Sequence, residues 1–298
     1  MSGPIVFDRH LLRRRQRRAR ARGAATFLID RVAADLAERL GAVTRDFGVA
    51  VDLGTPTDAL RRAIAAGGKV ARLVAAEPAV AALDDQYVRV AVDEEVLPFA
   101  DGTLDLVVSG LALHWVNDLP GTLVQIRRAL KPNGLLLAAM LAGDSLAELR
   151  EAFAAAESEL EGGLSPRVAP FADLRELGAL MQRAGFALPV VDSDRLTVRY
   201  DSVFALMRDL RAMGATNVLA ERRRTPVRRA TLLRMAEIYS ERFADADGRV
   251  RATFEIAWLT GWSPHESQQK PLKPGSAAQR LADALGAKEI SAGEKAGR

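Results

Sequence analysis

Short apolar runs closed by turn residues alternate, through the first half of the chain, with stretches whose apolar positions recur every three to four residues. Residues 49–53 form the first such run. It breaks at Gly54 into a helical stretch over 59–66 that Gly67 and Gly68 stop. Further apolar runs at 70–75, 87–92, 104–109 and 135–140 read as strands, with a helix over 119–130 ended by the turn sequence Lys131-Pro132-Asn133-Gly134. The run Leu104-Asp105-Leu106-Val107-Val108-Ser109 is nearly continuous, as a central strand covered on both faces requires. Five strands alternating with helices over about a hundred residues predict an α/β, doubly wound, mostly parallel sheet with helices on both faces.

The pattern changes beyond Leu141. Helices are predicted over 144–161, 173–184, 202–213 and 231–243, and residues 190–200 alternate with charge, as a solvent-facing antiparallel strand does. A last strand over 251–262 could pair with it, giving seven strands and extra helices in the C-terminal half. Ahead of the sheet lies an amphipathic helix over 24–40. The expected organisation is a basic N-terminal arm (1–23), one domain over 24–275 with a cofactor half (24–142) and a substrate or partner half (143–275), and a disordered tail (276–298).

Composition narrows the function classes. The chain has 298 residues, 49% of them hydrophobic, enough for one elaborated domain. Lys and Arg number 42 against 38 Asp and Glu, and a net charge of +4 is too small for a surface-wide nucleic-acid footprint. The basic excess is local, in Phe-Asp-Arg-His-Leu-Leu-Arg-Arg-Arg-Gln-Arg-Arg-Ala-Arg-Ala-Arg-Gly over 7–23. This segment reads either as an arm for an acidic partner, anionic lipid or nucleic acid or, the reading we favour, as a helix lying over the cofactor cleft; an Arg-rich, acid-poor start also mimics an organelle transit peptide. Cysteine is absent, so no disulfide or thiolate chemistry is available. No apolar run approaches membrane-span length, and with no secretory pattern the expected location is the cytoplasm.

Candidate chemistry gathers at the predicted strand ends. In open α/β sheets a strand-turn-helix presents backbone N–H groups and a helix N-terminus to nucleotide-like ligands. Asp52 would face such a ligand and Gly54 would let the backbone approach it, although Pro56 and Asp58 stand where a D-x-G-x-G-x-G turn has glycines. Glu77, ending the second strand, could accept both hydroxyls of a ribose. After the third strand, one of Asp93, Glu94 and Glu95 could accept from an adenine amino group while Val96 or Leu97 packs on its ring. Ser109 ends the fourth strand. His114 and Trp115 follow, the first able to act as a base or to orient a substrate and the second to wall the pocket, although a lone His beside a Trp is more often structural.

Taken in order, the Asp52 turn, Glu77 and the stretch DEEVLPFADGTLDLVVSGLALHWVNDLPGTLVQIRRALKPNGLL over 93–136 resemble S-adenosylmethionine-dependent methyltransferases, near the malonyl-carrier O-methyltransferases of biotin synthesis. FDRHLLRRRQRRA, AMLAGDSLAELR, EGGLSPRVAPF, MRDLRAMGATN and GWSPHESQQKPLKPGSA extend the resemblance to a methyltransferase-fold assembly-factor family of mitochondrial respiratory complex I and its bacterial relatives. That resemblance implies Asp52 and Gly54 at the methionine end of S-adenosylmethionine, Glu77 on the ribose and Asp93 on the adenine. It also implies a protein substrate or assembly partner, and arginine hydroxylation in the mitochondrial relative. Three histidines and no H-x-D or H-x-E pairing give no expected metal site. Three functions are therefore weighed: an enzyme or assembly factor acting on a protein, a carboxyl O-methyltransferase on a small or carrier-bound acid, and a scaffold whose altered turn no longer binds cofactor.

Overall fold

The computed structural model describes residues 4–78, 87–269 and 286. It divides into two units, Met1–Pro264 and His265–Arg298. In the second, the described His265 Nδ1 lies 2.8 Å from the Ser267 hydroxyl, and the expected disordered tail falls outside the described residues.

The first unit is built on one seven-stranded sheet: β1 (Phe47–Leu53), β2 (Val70–Glu77), β3 (Val88–Ala91), β4 (Leu104–Gly110), β5 (Leu130–Leu141), β6 (Ala187–Tyr200) and β7 (Val250–Trp262), in the order β3-β2-β1-β4-β5-β7-β6. The pairs of β1 to β5 are parallel and β7 is antiparallel to both neighbours, so the expected doubly wound sheet is present. β4 is buried along its whole length and β6, on the edge, alternates, as their sequences require. The order reverses between β1 and β4, a switch point at whose carboxyl side ligands sit in such sheets.

Helices cover both faces. α1 (Arg9–Ala21), α2 (Phe27–Gly41), α3 (Ala59–Ala66) and α4 (Leu119–Ala129) accompany the parallel strands, and α5 (Ala147–Leu160), α6 (Leu174–Arg183), α7 (Val203–Ala212) and α8 (Arg229–Phe243) the rest. Side-chain caps set several starts: Asp8 accepts from Leu11 N at 3.0 Å for α1, Asp118 from Gly121 N at 2.8 Å for α4, and Asp173 with Glu176 forms a capping box for α6. One apolar cluster packs α2, α3, α5, α7 and α8 on one face of the sheet, and another packs α4 and α6 on the other.

The Lys131-Pro132-Asn133-Gly134 turn is absorbed into β5 as an irregularity. Leu104 pairs with Leu130 but Leu106 pairs with Leu135, and Asn133 takes a left-handed φ of 61°. α1 belongs to the same unit as the sheet and is seated on the end of α7. There Gly214 (φ +74) stands so close to the Gln16 backbone that a Cβ would come within 2.8 Å of it.

Candidate functional site

The candidate residues of β1, β2 and the loop after β3 meet at the carboxyl side of the sheet, and arginines hold each carboxylate among them. Asp52, at the end of β1, is fully buried. It accepts from Arg61 at 2.7 Å and from the Thr55 hydroxyl, which itself accepts from Gly110 N at 2.9 Å. Arg61, 2% exposed on α3, lies 3.3 Å from Glu77 with its other terminal nitrogen. Glu77 also accepts from Arg89 of β3 at 3.0 Å and Arg20 of α1 at 3.2 Å. Burial pushes the Asp52 carboxyl up to about 6, against the pull of Arg61 and the Thr55 hydroxyl.

The loop after β3 is held by α1. Arg9 bonds Asp93 and Glu94 and lies 3.1 Å from Glu95, and Arg13 reaches Asp93 at 2.9 Å. Burial would raise Asp93, but the Glu95 N–H and the guanidinium groups of Arg13 and Arg9 outweigh it and hold the carboxyl down to about 2. Glu94 is raised, because its burial outweighs the Arg9 charge. Asn117 Oδ1 accepts from Val6 N at 2.8 Å and Phe7 N at 2.7 Å, and the Phe7 ring meets Trp115 edge-on at 5.4 Å. Trp115 and Asn117 of the HWVN segment thus both dock the chain leading into α1.

Gly54 (φ +72) makes the tight turn. A Cβ there would come within 2.9 Å of Glu94 Oε1 and 3.1 Å of the Ala112 Cβ. The cleft among Gly54, Glu94, Ala112 and α1 keeps only about 10 Å³. Pro56 does not plug it. Pro56 and Thr57 line a neighbouring cavity of about 490 Å³, and Asp58 faces Arg62 at 3.3 Å.

That larger cavity is walled by leucines and aromatic residues of α2, α5 and the β4 and β5 ends, with His114 and Trp115 side by side. Leu111 and Leu146, both on its wall, hold left-handed φ values of 53° and 55°, a strain of order 1–3 kcal/mol each. His114 is buried, its pKa driven down to about 3 by that burial, and its Nδ1 accepts from Leu141 N at 3.4 Å. It is therefore a neutral imidazole at working pH, better suited to positioning than to accepting a substrate proton. Arg15, Arg20, Arg167 and Arg211 also line the cavity, and among the described residues no Asp or Glu does.

Five predicted residues line neither space: Asp52, Glu77 and Asp93, whose carboxylates are taken up by arginines, and Ser109 and Leu97. Ser109 donates its hydroxyl to the Leu53 carbonyl at 2.8 Å inside the sheet. Leu97 packs into the core on the α4 side, its N–H donating to Gln125 Oε1 at 3.0 Å. Sequence reasoning missed Thr55, Arg61, Arg89, Asn117 and the inward arginines of α1. Arg61 had a signal: it lies three residues before Ile64 on the apolar face of its helix. Among the described residues no group of three or more His, Asp or Glu is gathered as metal ligands, and no helix is long and apolar enough to cross a membrane.

Two carboxylates at adjacent strand ends beside a glycine turn are the acceptor types an adenosyl group needs, but Arg61 and Arg89 as well as Arg20 of α1 already occupy them, and the cleft beside Gly54 keeps only about 10 Å³. Comparison with known proteins follows the same lines. A methyltransferase-domain family matches residues 18–189. The mitochondrial arginine hydroxylase NDUFAF5 of Mus musculus is 38% identical over 97% of this chain and 87% of its own length. A malonyl-[acyl-carrier protein] O-methyltransferase of Xylella fastidiosa is 40% identical over 58% of this chain and 56% of its own. A methyltransferase-fold structure from Bacillus halodurans aligns at a TM-score of 0.53 with 16% identity, over 78% of this chain and all but 1% of the other, which speaks to the fold alone. The expected cytoplasmic location is corrected by these relatives: the arginine hydroxylases from four vertebrates are all named mitochondrial. Absence of a secretory or membrane-spanning pattern does not separate one internal compartment from another.

Proposed function

Because this chain belongs to the methyltransferase-domain family that includes the mitochondrial arginine hydroxylases, we propose that it is an S-adenosylmethionine-dependent methyltransferase-fold enzyme acting on a protein partner, in the assembly of respiratory complex I. One observation carries the cofactor part of this reading: Asp52, Gly54, Glu77 and Asp93 converge at the ends of β1, β2 and β3 beside the switch point of the sheet. Glu77 would hold the ribose hydroxyls and Asp93 or Glu94 the adenine amino group, with Asp52 and the Gly54 turn toward the methionine end. When bound, S-adenosylmethionine supplies an electrophilic methyl group. The chain's own part is to place an acceptor in the largely apolar cavity beside Pro56, walled by Trp115 and the neutral His114.

The test has two arms. Calorimetry with S-adenosylhomocysteine should give saturable heat, and Glu77→Ala should abolish it while the protein stays folded. Mass spectrometry of complex I subunits with and without this protein should show a shift of one methyl or one oxygen. No heat with the wild-type chain removes the cofactor role and leaves a scaffold; no mass shift removes the protein substrate.

The cavity favours a second reading. Its charged wall is cationic throughout, which suits an acid and disfavours a guanidinium. A carboxylate O-methyltransferase fits that wall, and a carboxylate needs no base to become the nucleophile. His114, neutral and already accepting a hydrogen bond, is consistent with that.

A further inference from the structure

Arg15 is a half-buried cation without a carboxylate. It donates to the Asn217 carbonyl, and among the described residues no Asp or Glu oxygen comes within ion-pair distance of it. Such a group is normally paired, because removing a charge from water is costly unless an opposite charge replaces the water. Its neighbours sharpen the imbalance. Arg20, one turn further along α1, spends a terminal nitrogen on Glu77 and keeps a buried Nε with no hydrogen-bond partner. Arg211 of α7, an exposed residue, also lines the cavity and makes no ion pair among the described residues. Arg15's pKa lies below its ordinary value, through burial first and then the repulsion of Arg222, against the weaker attraction of the Asp8 charge. By contrast Arg167, also on the wall, is satisfied by the buried Glu157.

These cations edge a space that is otherwise greasy. Leu146, Leu149, Phe153, Met207 and Phe254 contribute to its walls, and about 490 Å³ falls within the range of roughly 300–1,000 Å³ of small-molecule sites. We propose that the cavity is a binding site for a single-chain acyl carboxylate, its hydrocarbon lying along the α2 and α5 walls and its carboxylate meeting Arg15 and Arg211 where α1 packs on α7. An apolar space edged by such cations selects an amphiphile: the chain gains burial, and the head pairs with Arg15, which the fold leaves without a carboxylate, and with the exposed Arg211. A free arginine side chain or an amine would meet like charge there. The inference deepens the second reading above by naming the ligand class of the same cavity, but it concerns binding and requires no methyl transfer.

The full chain is titrated with cis-parinaric acid, whose fluorescence rises in an apolar site, and the probe is displaced with monomeric laurate, lauryl alcohol or laurylamine. Laurate should displace it about tenfold more effectively than the alcohol, the worth of one or two charge-assisted hydrogen bonds, and the amine least of all. Arg15→Gln should reduce laurate to the level of the alcohol while leaving the alcohol unchanged. Leu149→Trp, which fills the cavity, should abolish all three; should that variant misfold, the acid-to-alcohol ratio in Arg15→Gln decides alone. Equal displacement by acid and alcohol, an Arg15→Gln variant that keeps the preference, or no probe binding by the wild-type chain overturns the proposal. Calorimetry with S-adenosylhomocysteine on the same samples separates the outcomes: its failure with laurate still bound sinks the methyltransferase reading alone, and the reverse sinks only this one.

Discussion

Replacing Arg61 by methionine tests the electrostatic centre of the site. The guanidinium is almost wholly buried and bridges Asp52 at 2.7 Å and Glu77 at 3.3 Å, both carboxylates themselves buried. Removing one partner from a buried pair costs roughly 3–5 kcal/mol. The loss here is unequal: Glu77 keeps Arg89 and Arg20, whereas Asp52 keeps only the Thr55 hydroxyl. Asp52 can limit the damage by taking up a proton, since its pKa already stands at about 6 and loses its main opposing charge in the variant. We therefore expect about 3 kcal/mol at pH 7, the lower end of that range. A carboxyl that binds its proton more tightly in the folded than in the unfolded state adds stability that is full below its ordinary 3.8 and disappears as pH rises through the folded value. The variant's deficit should accordingly shrink between pH 7 and pH 5, and Asp52→Asn added to Arg61→Met should recover most of it. Urea unfolding at both pH values measures this. A single-variant loss below about 1 kcal/mol, the range of exposed pairs, or a deficit that grows on acidification, would refute the account of a buried bridging cation.

Two further expectations concern α1. Arg9→Gln with Arg13→Gln frees Asp93 and Glu94 and should raise the affinity for S-adenosylhomocysteine about tenfold by calorimetry, the worth of roughly one charge-assisted contact; a fall in affinity would mean that these arginines grip the ligand rather than compete with it. The Asp93 carboxyl is held down to about 2, so its contribution is full above 3.8 and is lost as pH falls from there through about 2. Pepsin cleavage within α1 should therefore accelerate as pH is lowered from 4 toward 2, and Asp93→Asn should show the fast cleavage already at pH 4.

Hydrophobic periodicity alone carried the architecture, because each strand and helix buries a face whose spacing is local to it. The nearly continuous Leu104-Asp105-Leu106-Val107-Val108-Ser109 run announced a central strand, and the charged alternation of 190–200 announced an exposed edge one. The placement of Asp52, Glu77 and Asp93 at the carboxyl side of the sheet was legible for a related reason: in a parallel sheet, position in the element order implies position in space. Which cation meets which anion was decided by the tertiary structure. The arginines of α1 look alike along the chain, yet Arg9 and Arg13 face the loop after β3, Arg20 faces Glu77, and Arg15 faces an apolar cavity with no carboxylate. Those assignments depend on how α1 is seated, through Gly214 beneath Gln16 and Asn117 beneath the chain entering the helix. Coulomb energy and desolvation depend on separation in space and on burial, and neither is a function of distance along the sequence.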